Sequence, residues 1–275
     1  MATRMTQLLW SAVNDLRVHP VEKWIRASYD GVTVVDSRRA RLVWEPRRVV
    51  ASYAVPDDDL TGELVPTEST GAVERPVSVG DQAGVLDPRS PFTAHSTRGS
   101  SLTIRTSRGD LVEAALRPDD PDLAGYVVLD WSAFTQWYEE DEPVIAHPHD
   151  PFHRIDCLRS SRHVRIGVDG VALADTTRAV WLFETSLPTR FYIPPDDVAM
   201  HLLERTATHT ECAYKGQASY WSARAGATLL PDIAWSYPDP FTDALPVSGL
   251  VAFFTERLDL TLDGEAQARP RTPWS

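Results

Sequence analysis

Residues 26–58 read RASYDGVTVVDSRRARLVWEPRRVVASYAVPDD, and residues 165–197 read RIGVDGVALADTTRAVWLFETSLPTRFYIPPDD. The two segments align without a gap at a constant offset of 139 residues, and twelve of their thirty-three pairs are identical. The identical pairs include Arg39 with Arg178, Glu45 with Glu184, and Tyr53 with Tyr192. A long internal repeat indicates two copies of one domain, so a feature that only one copy carries is a guide to function.

Local patterns within the repeat predict a mainly β chain with short helices. Runs such as GVALAD and AVWLFET are short, apolar and rich in β-branched or aromatic residues, as is typical of strands. The Asp-Gly pairs at 30–31 and 169–170 predict tight hairpins, because glycine readily adopts the positive φ that such turns need. Short helices are expected at the acidic residues of 194–197 and in the aromatic segment 130–138.

The sequence divides into two domains and a tail. We predict a first, divergent domain at 1–155 and a second domain at 156–264, followed by a flexible tail at 265–275. Residues 61–110 are crowded with Ser, Thr, Gly and Pro, which indicates a long loop. The stretches LTIRT and LVEAAL are candidate strands near that loop.

Charge and hydropathy exclude several classes of partner. The net charge of −12 argues against nucleic acid, which needs a Lys/Arg surface. No apolar run approaches the roughly 18 residues that span a bilayer, and the N-terminus lacks the features of a signal peptide. The two cysteines, Cys157 and Cys212, form no CxxC pair, so both are expected to be free thiols in the reducing cytoplasm.

Metal and cofactor motifs give little support for a bound group. The chain has no GxGxxG, P-loop, HExxH or GxSxG motif, and we predict no cofactor. His147, His149 and His153 in HPHDPFHRID have spacings that could suit zinc, but two prolines interrupt them. We therefore favour salt bridging over metal binding for this segment and predict no metal.

A dense cluster of aromatic and reactive side chains occurs only in the second copy, in CAYKGQASYW (212–221) and AWSYPDP (234–240). At the offset of 139, the first copy has VERPVSVGDQ instead. The rings could pack as the core of a small β domain or line a binding pocket, and a glycine at 216 would allow close approach of a ligand. This asymmetry places any site in the second domain.

Three polar side chains are the candidates for catalysis. Lys215 beside Cys212 could stabilise a thiolate and raise its reactivity, although many free cysteines are inert and buried. Glu184 stands on an apolar strand, where burial of a lone carboxylate is costly. We expect the repeated Arg178 to be its partner, in a role that is either structural or catalytic.

The second half resembles the bacterial domain of unknown function 427 family. The matching segments carry the pattern DGxxxAD, LxET, YIPxxDV, CxYKGxAxYW, AWxYxxP and GxVAF, at Asp169–Asp175, Leu182–Val198, Cys212–Trp221, Ala234–Pro240 and Gly249–Phe253. The first half resembles the divergent partner of tandem members and lacks the CxYKG segment. The resemblance implies a tandem duplication of a small β-tent, or Mss4-like, domain made of two antiparallel sheets. Relatives of that fold cage small heterocycles between tryptophans, which suggests a comparison with Trp221 and Trp235 by analogy.

Three hypotheses for function follow. The first is recognition of a small molecule in an aromatic pocket of the second domain. The predicted ligand contacts are Arg178, Tyr192, Tyr214, Tyr220, Trp221, Trp235 and Tyr237. The second is an enzyme of transferase or hydrolase type that uses Cys212, Lys215 and Glu184, and the third is an interaction scaffold without a site. The oligomeric state is open.

Overall fold

A computed structural model of the chain describes residues 2–79, 82–226 and 228–272. The chain forms two compact units, one of residues 1–77 and 82–150 and the other of residues 151–275 with the segment 78–81. Each unit contains its own buried apolar core. The boundary lies between Asp150 and Pro151, inside the histidine-containing segment.

Residues 2–150 are antiparallel β structure after one short helix, α1 (Met5–Ser11). The strands are β1 (Arg17–Pro20), β2 (Ile25–Tyr29), β3 (Val32–Ser37), β4 (Arg41–Trp44), β5 (Ser52–Pro56), β6 (Glu63–Pro66), β7 (Pro76–Val79), β8 (Gln82–Leu86), β9 (Gly99–Thr106), β10 (Gly109–Pro118), β11 (Tyr126–Leu129), β12 (Gln136–Glu139) and β13 (Glu142–Val144). Their described residues form a seven-stranded sheet, β1-β4-β5-β11-β10-β9-β6, a four-stranded sheet, β13-β12-β2-β3, and a two-stranded sheet, β7-β8. Short 3-10 helices span Asp57–Asp59, Pro121–Leu123 and Trp131–Ala133.

Residues 151–272 form three smaller antiparallel sheets. The strands are β14 (Ile155–Arg159), β15 (Val164–Val168), β16 (Val171–Thr176), β17 (Val180–Glu184), β18 (Arg190–Tyr192), β19 (Leu203–Cys212), β20 (Gly216–Ala225), β21 (Thr228–Ser236), β22 (Ala252–Phe253), β23 (Asp259–Leu262) and β24 (Glu265–Gln267). The described residues pair in the orders β14-β17-β18, β16-β15-β23-β24 and β19-β20-β21-β22. Short 3-10 helices span Pro195–Asp197, Met200–Leu202 and Thr242–Val247. None of the helices in the described part of the chain is long and apolar enough to span a membrane.

The mainly β prediction is confirmed, and the two Asp-Gly hairpins form as expected. Asp30 and Gly31 join β2 to β3 with φ of 47° and 77°, and Asp169 and Gly170 join β15 to β16 with φ of 50° and 80°. Two successive positive φ values define the primed turns that match the twist of a two-stranded ribbon. The β-tent arrangement that the family resemblance implies stays a prediction.

Strand pairing in the structure shows that the two copies differ in length by one residue, although their sequences align without a gap. Arg41 pairs with Ala54, 13 residues later, whereas the corresponding Val180 pairs with Tyr192, 12 residues later. The second copy therefore has one residue fewer in this connection, and positions after it correspond at an offset of 138. Tyr192 consequently takes the place of Ala54 rather than that of Tyr53, so the two identical tyrosines are not equivalent.

Two local predictions were wrong, and one was confirmed. Residues 61–110 are not a long loop, because β6 and β9 lie within them and pair from Glu63 with Arg105 to Pro66 with Leu102. The short helix expected in the segment 130–138 is confirmed as the 3-10 turn Trp131–Ala133, with Asp130 as its N-cap, and β12 follows it. The tail begins with β24, which pairs with β23, and Thr272 donates a hydrogen bond to buried Glu256. Polar edge strands of this kind lack the apolar alternation that marks a strand in sequence.

Candidate functional site

The candidate site of the second unit is built on the turn between β19 and β20. Cys212 pairs with Gly216 across this turn, and the backbone N–H of Lys215 donates to the carbonyl of Cys212 at 3.3 Å. Gly216 has a φ of +91°, and a Cβ there would lie 3.3 Å from the backbone oxygen of Asp239. Glycine is thus required at this position both by conformation and by the close approach of a neighbouring chain segment.

The turn places Lys215 in the interior, where it meets Glu184. The Lys215 residue is 6% exposed, and its Nζ donates to Glu184 Oε1 at 2.6 Å. The same carboxylate oxygen lies 3.0 Å from Nε2 of His153. Glu184, His153 and Lys215 therefore form one buried charged network, which we call the Glu184 network.

The electrostatics of the network favour its charged forms. Burial alone would raise the pKa of Glu184, but the hydrogen bond from His153 and the charge of Lys215 outweigh it and lower this pKa to about 2. Burial alone would lower the pKa of Lys215, but the nearby Glu184 carboxylate and Cys212 raise it. Glu184 is thus held ionised and Lys215 protonated at neutral pH, as a buried pair requires.

An aromatic stack connects the network to a surface cleft. The ring of Tyr214 stacks on His153 with centroids 4.4 Å apart and planes inclined by 21°. Both residues line a cleft of about 370 Å³, which we call the histidine cleft. Its lining residues are His153, Arg154, Ile155, Asp156, Cys157, Tyr214, Asp243 and Pro246. A cleft of this size is within the range of small-molecule sites.

One cysteine lies at the β19–β20 turn and the other lines the histidine cleft. The Lys215 ammonium interacts electrostatically with Cys212 as well as with Glu184. Cys157 lines the histidine cleft, and burial raises the pKa of its thiol despite the nearby charge of Lys215. Burial therefore disfavours the thiolate of Cys157, and Cys212 is the cysteine that interacts with the Lys215 ammonium.

The predicted cage between Trp221 and Trp235 is not formed. Tyr220 pairs with Trp235, and Trp221 pairs with Ala234, so strand alternation puts the two indoles on opposite faces of the sheet. Trp221 packs against the cluster that contains Ile166 and Phe253, whereas Trp235 belongs to a separate cluster. No ligand can be sandwiched between them.

Most of the other predicted aromatic contacts are core residues. Tyr192 is 1% exposed and Tyr237 is 6% exposed, and burial raises the pKa of both hydroxyls. The Tyr192 hydroxyl accepts a hydrogen bond from Trp235 Nε1 at 3.1 Å. Tyr220 is partly buried beside them, with its hydroxyl 2.8 Å from that of Thr210. Of the predicted rings, only Tyr214 lines the histidine cleft.

Arg178 is not the partner of Glu184, contrary to the prediction. Its guanidinium binds Asp197 through two hydrogen bonds, and the Thr176 hydroxyl donates to the same carboxylate. The first copy repeats this arrangement with Arg39, Asp59 and Ser37. Because the motif recurs at equivalent positions, it fastens the hairpin to the following 3-10 turn and has no special place in the site.

The first copy surrounds its own repeated glutamate differently. Glu45 is 3% exposed and lies 3.1 Å from Nδ1 of His95, while the backbone N–H groups of Ser96 and Thr97 donate to its other oxygen. Arg48 Nε lies 3.7 Å from the same oxygen as His95, so this carboxylate is held by backbone donors, an imidazole and a guanidinium. A buried lysine on a turn and a neighbouring cysteine occur only around Glu184.

Two of the three histidines of HPHDPFHRID, His149 and His153, are bound to different carboxylates, whereas His147 lies beside the carbonyl of Pro148. His149 Nδ1 lies 3.0 Å from buried Glu139, and His153 binds Glu184. No group of three or more potential metal ligands occurs in the described ranges. The sequence missed His153 as a member of the site, although a buried repeated glutamate needs a partner and this imidazole lies near the start of the second copy.

The comparisons with known proteins agree with the sequence resemblance. Residues 156–264 match a family model described as a domain of unknown function, DUF427. Among curated proteins, none matches this chain. His153 precedes the matched residues, whereas Glu184, Cys212 and Lys215 lie within them. Residues 156–264, with the turn and the carboxylate on which the candidate site is built, therefore form a domain of the DUF427 family.

Proposed function

We propose that the second unit binds a small polar molecule in the histidine cleft. The observation that carries the proposal is the Glu184 network, in which one buried carboxylate holds both Lys215 and the cleft residue His153. A buried ion pair stabilises a fold weakly, because desolvation opposes the attraction between its charges. Such networks with perturbed pKa values cluster at functional sites, which favours a role beyond stability.

The cleft offers a defined set of contacts to a ligand. The stacked rings of His153 and Tyr214 provide a flat surface for a planar group, and Asp243 and the Arg154–Asp156 pair supply polar contacts at the rim. Lys215 and Glu184 act indirectly, by fixing the position of the imidazole. Arg178 and the buried tyrosines and tryptophans of the initial hypothesis have no direct part.

A thermal-stability screen of polar metabolites tests this proposal. A compound that binds only the folded chain at about a hundredfold excess over its Kd adds about 2.7 kcal/mol of stability. The Tyr214→Ala variant should lose most of this gain, because it removes the stacking surface. Tyr138→Ala is the matched control, since Tyr138 is a partly exposed tyrosine of the first unit. Equal stabilisation of wild type and Tyr214→Ala would contradict the proposal.

A second candidate function is thiol-dependent catalysis at Cys212. The electrostatic interaction of the Lys215 ammonium with Cys212 favours it, because an adjacent cation stabilises the thiolate that acts as nucleophile. Glu184, one of the three predicted catalytic residues, is unsuited to act as a general acid, since its pKa of about 2 leaves it ionised. His153 is the better candidate for proton transfer, because imidazole commonly serves this role near neutral pH.

The pH dependence of alkylation distinguishes the two functions. In a Cys157→Ser protein, iodoacetamide reports on Cys212 alone. Catalysis by the thiolate requires that Cys212 react well below pH 8.5, the approximate midpoint of a free thiol, and that Lys215→Met slow the reaction. An inert Cys212 would exclude the enzyme and leave binding as the function to test.

A further inference from the structure

A second cleft of the same unit is lined by arginine and hydroxyl side chains, which are suited to binding an anion. It has a volume of about 490 Å³ and lies where β14, the β16–β17 connection and the 3-10 helix Thr242–Val247 meet. We call it the arginine cleft, and its lining residues are Arg159, Ser160, Ser161, Thr177, Arg178, Val180, Pro194, Pro246 and Leu250. It is distinct from the histidine cleft, with which it shares only Pro246.

The arginine cleft is lined by positively charged side chains, whereas the chain as a whole is negatively charged. The protein has a net charge of −12, yet two guanidinium groups and no carboxylate line the arginine cleft. The charge of Arg178 is balanced by Asp197. The side chain of Arg159 is exposed, and its guanidinium makes no hydrogen bond or ion pair within the described ranges. Its positive charge is therefore available to a ligand.

Three hydroxyl groups stand beside Arg159. Ser160 accepts a hydrogen bond from the backbone N–H of Arg162 at 3.2 Å, which leaves its own hydroxyl proton to donate. Ser161 and Thr177 are exposed, and their hydroxyls form no hydrogen bond within the described part of the chain. A guanidinium with several hydroxyl donors is a suitable set for an oxyanion, because charge-assisted hydrogen bonds are the stronger kind.

The opposite side of the cleft is apolar. Val180, Pro194, Pro246 and Leu250 contribute hydrocarbon surface. An inorganic ion would leave this surface unused, so the lining suits an oxyanion group attached to a compact apolar body. The overall negative charge would repel a polyanion such as nucleic acid, which limits the ligand to a small molecule.

The first copy lacks the same features. Arg159 pairs with Val180, and Pro20 pairs with Arg41 at the equivalent position of β1. At the same offset, Val21 and Glu22 stand in place of Ser160 and Ser161. Arg159 and the two serines are therefore particular to the second copy, whereas Arg178 recurs as Arg39.

From this geometry we propose that the arginine cleft binds a small organic anion, with its phosphate or carboxylate head at Arg159 and its apolar body against Val180 and Leu250. The proposal is independent of the histidine cleft. Calorimetric titration with phenyl phosphate, benzoate and benzyl alcohol tests it, because the first two carry the two possible head groups and the third is neutral.

The expected result is measurable binding of phenyl phosphate or benzoate and weaker binding of benzyl alcohol, with the tighter anion identifying the head group. Arg159→Ala should raise the Kd of that anion about tenfold or more, which corresponds to about 1.4 kcal/mol. Arg224→Ala is the matched control, since Arg224 is another exposed strand arginine of the same unit.

Three results would overturn the proposal. One is the absence of anion binding at about 10 mM, well above the Kd range of a specific small-molecule site. Another is an equal loss in Arg159→Ala and Arg224→Ala, which would show a general effect of net charge. The third is equally tight binding of benzyl alcohol, which would show that no head group is recognised.

Discussion

Lys215 Nζ lies 2.6 Å from Glu184 Oε1, and this contact joins the β19–β20 turn to the end of β17. Both side chains are less than one-tenth exposed. The pair is the structural centre of the second unit's candidate site, because His153 depends on the same carboxylate for its position.

The first prediction concerns the energetic coupling of this pair. Lys215→Met and Glu184→Gln should each lower the free energy of unfolding by about 3–5 kcal/mol, since each leaves a buried group without its partner. The double variant should cost less than the sum of the two, with a coupling of about 1–3 kcal/mol. Urea unfolding gives the free energy of unfolding of the wild type, the two single variants and the double variant. Simple additivity would show that the two groups do not interact.

The second prediction concerns acid stability. Glu184 has a pKa of about 2 in the folded chain against 4.5 ordinarily, and Glu139 shows the same shift. A carboxylate with a lowered pKa stabilises the fold above its unfolded pKa, and this contribution is lost as the pH falls through the interval between the two values. Stability should therefore fall between about pH 5 and pH 2.

The Glu184→Gln variant provides the control for this interval. Its free energy of unfolding should depend less steeply on pH than that of wild type, because one of the two shifted carboxylates is gone. Urea unfolding at a series of pH values gives both slopes. Parallel pH profiles for the two proteins would contradict the lowered pKa of Glu184.

The third prediction concerns the glycine of the turn. Gly216→Ala should cost about 1–3 kcal/mol, because alanine is strained at a φ of +91°. The new Cβ would also lie 3.3 Å from the Asp239 oxygen. Gly170→Ala is the matched control, since Gly170 has a φ of +80° but nothing within 4 Å of an added Cβ. A larger loss for Gly170→Ala would show that the close approach at Gly216 is unimportant.

How much the sequence could predict depends on the distance along the chain over which each feature is determined. The hairpins at Gly31 and Gly170 follow from adjacent residues, and the predictions were right. The predicted catalytic residues Glu184 and Lys215 are in contact in the structure, and the asymmetry of the CxYKG segment led to them, but whether they form a functional site stays a prediction. The edge strands β6 and β24 were missed, since polar edge strands resemble loops in sequence, whereas the stretch LTIRT was recognised as a candidate strand and lies in β9.

The wrong predictions about the candidate site concern residues whose contacts depend on the pairing of strands and on residues distant in the sequence. Trp221 and Trp235 were taken as a pair, but the alignment of Tyr220 with Trp235 sends the two indoles to opposite faces. His153 was assigned to the junction because nothing local connects it to a glutamate 31 positions later. Arg178 was paired with Glu184 because both recur, although recurrence also follows from a shared structural role.

The fourth prediction concerns the thiol in the histidine cleft. In a Cys212→Ser protein, iodoacetamide reports on Cys157 alone, and serine can still accept a hydrogen bond from Lys215. Burial raises the pKa of Cys157 above its ordinary value of 9.0, so the alkylation rate should reach half of its maximum above that pH. A midpoint at lower pH would show that the charge of Lys215 dominates over burial at this position.

The most direct test of the central claim uses the same Cys212→Ser protein with a compound from the stability screen. If the compound occupies the histidine cleft, it covers Cys157 and should slow its alkylation about tenfold when the compound is present at about ten times its Kd. An unchanged alkylation rate, in a protein that the compound still stabilises, would place the ligand elsewhere and contradict the proposed function of this cleft.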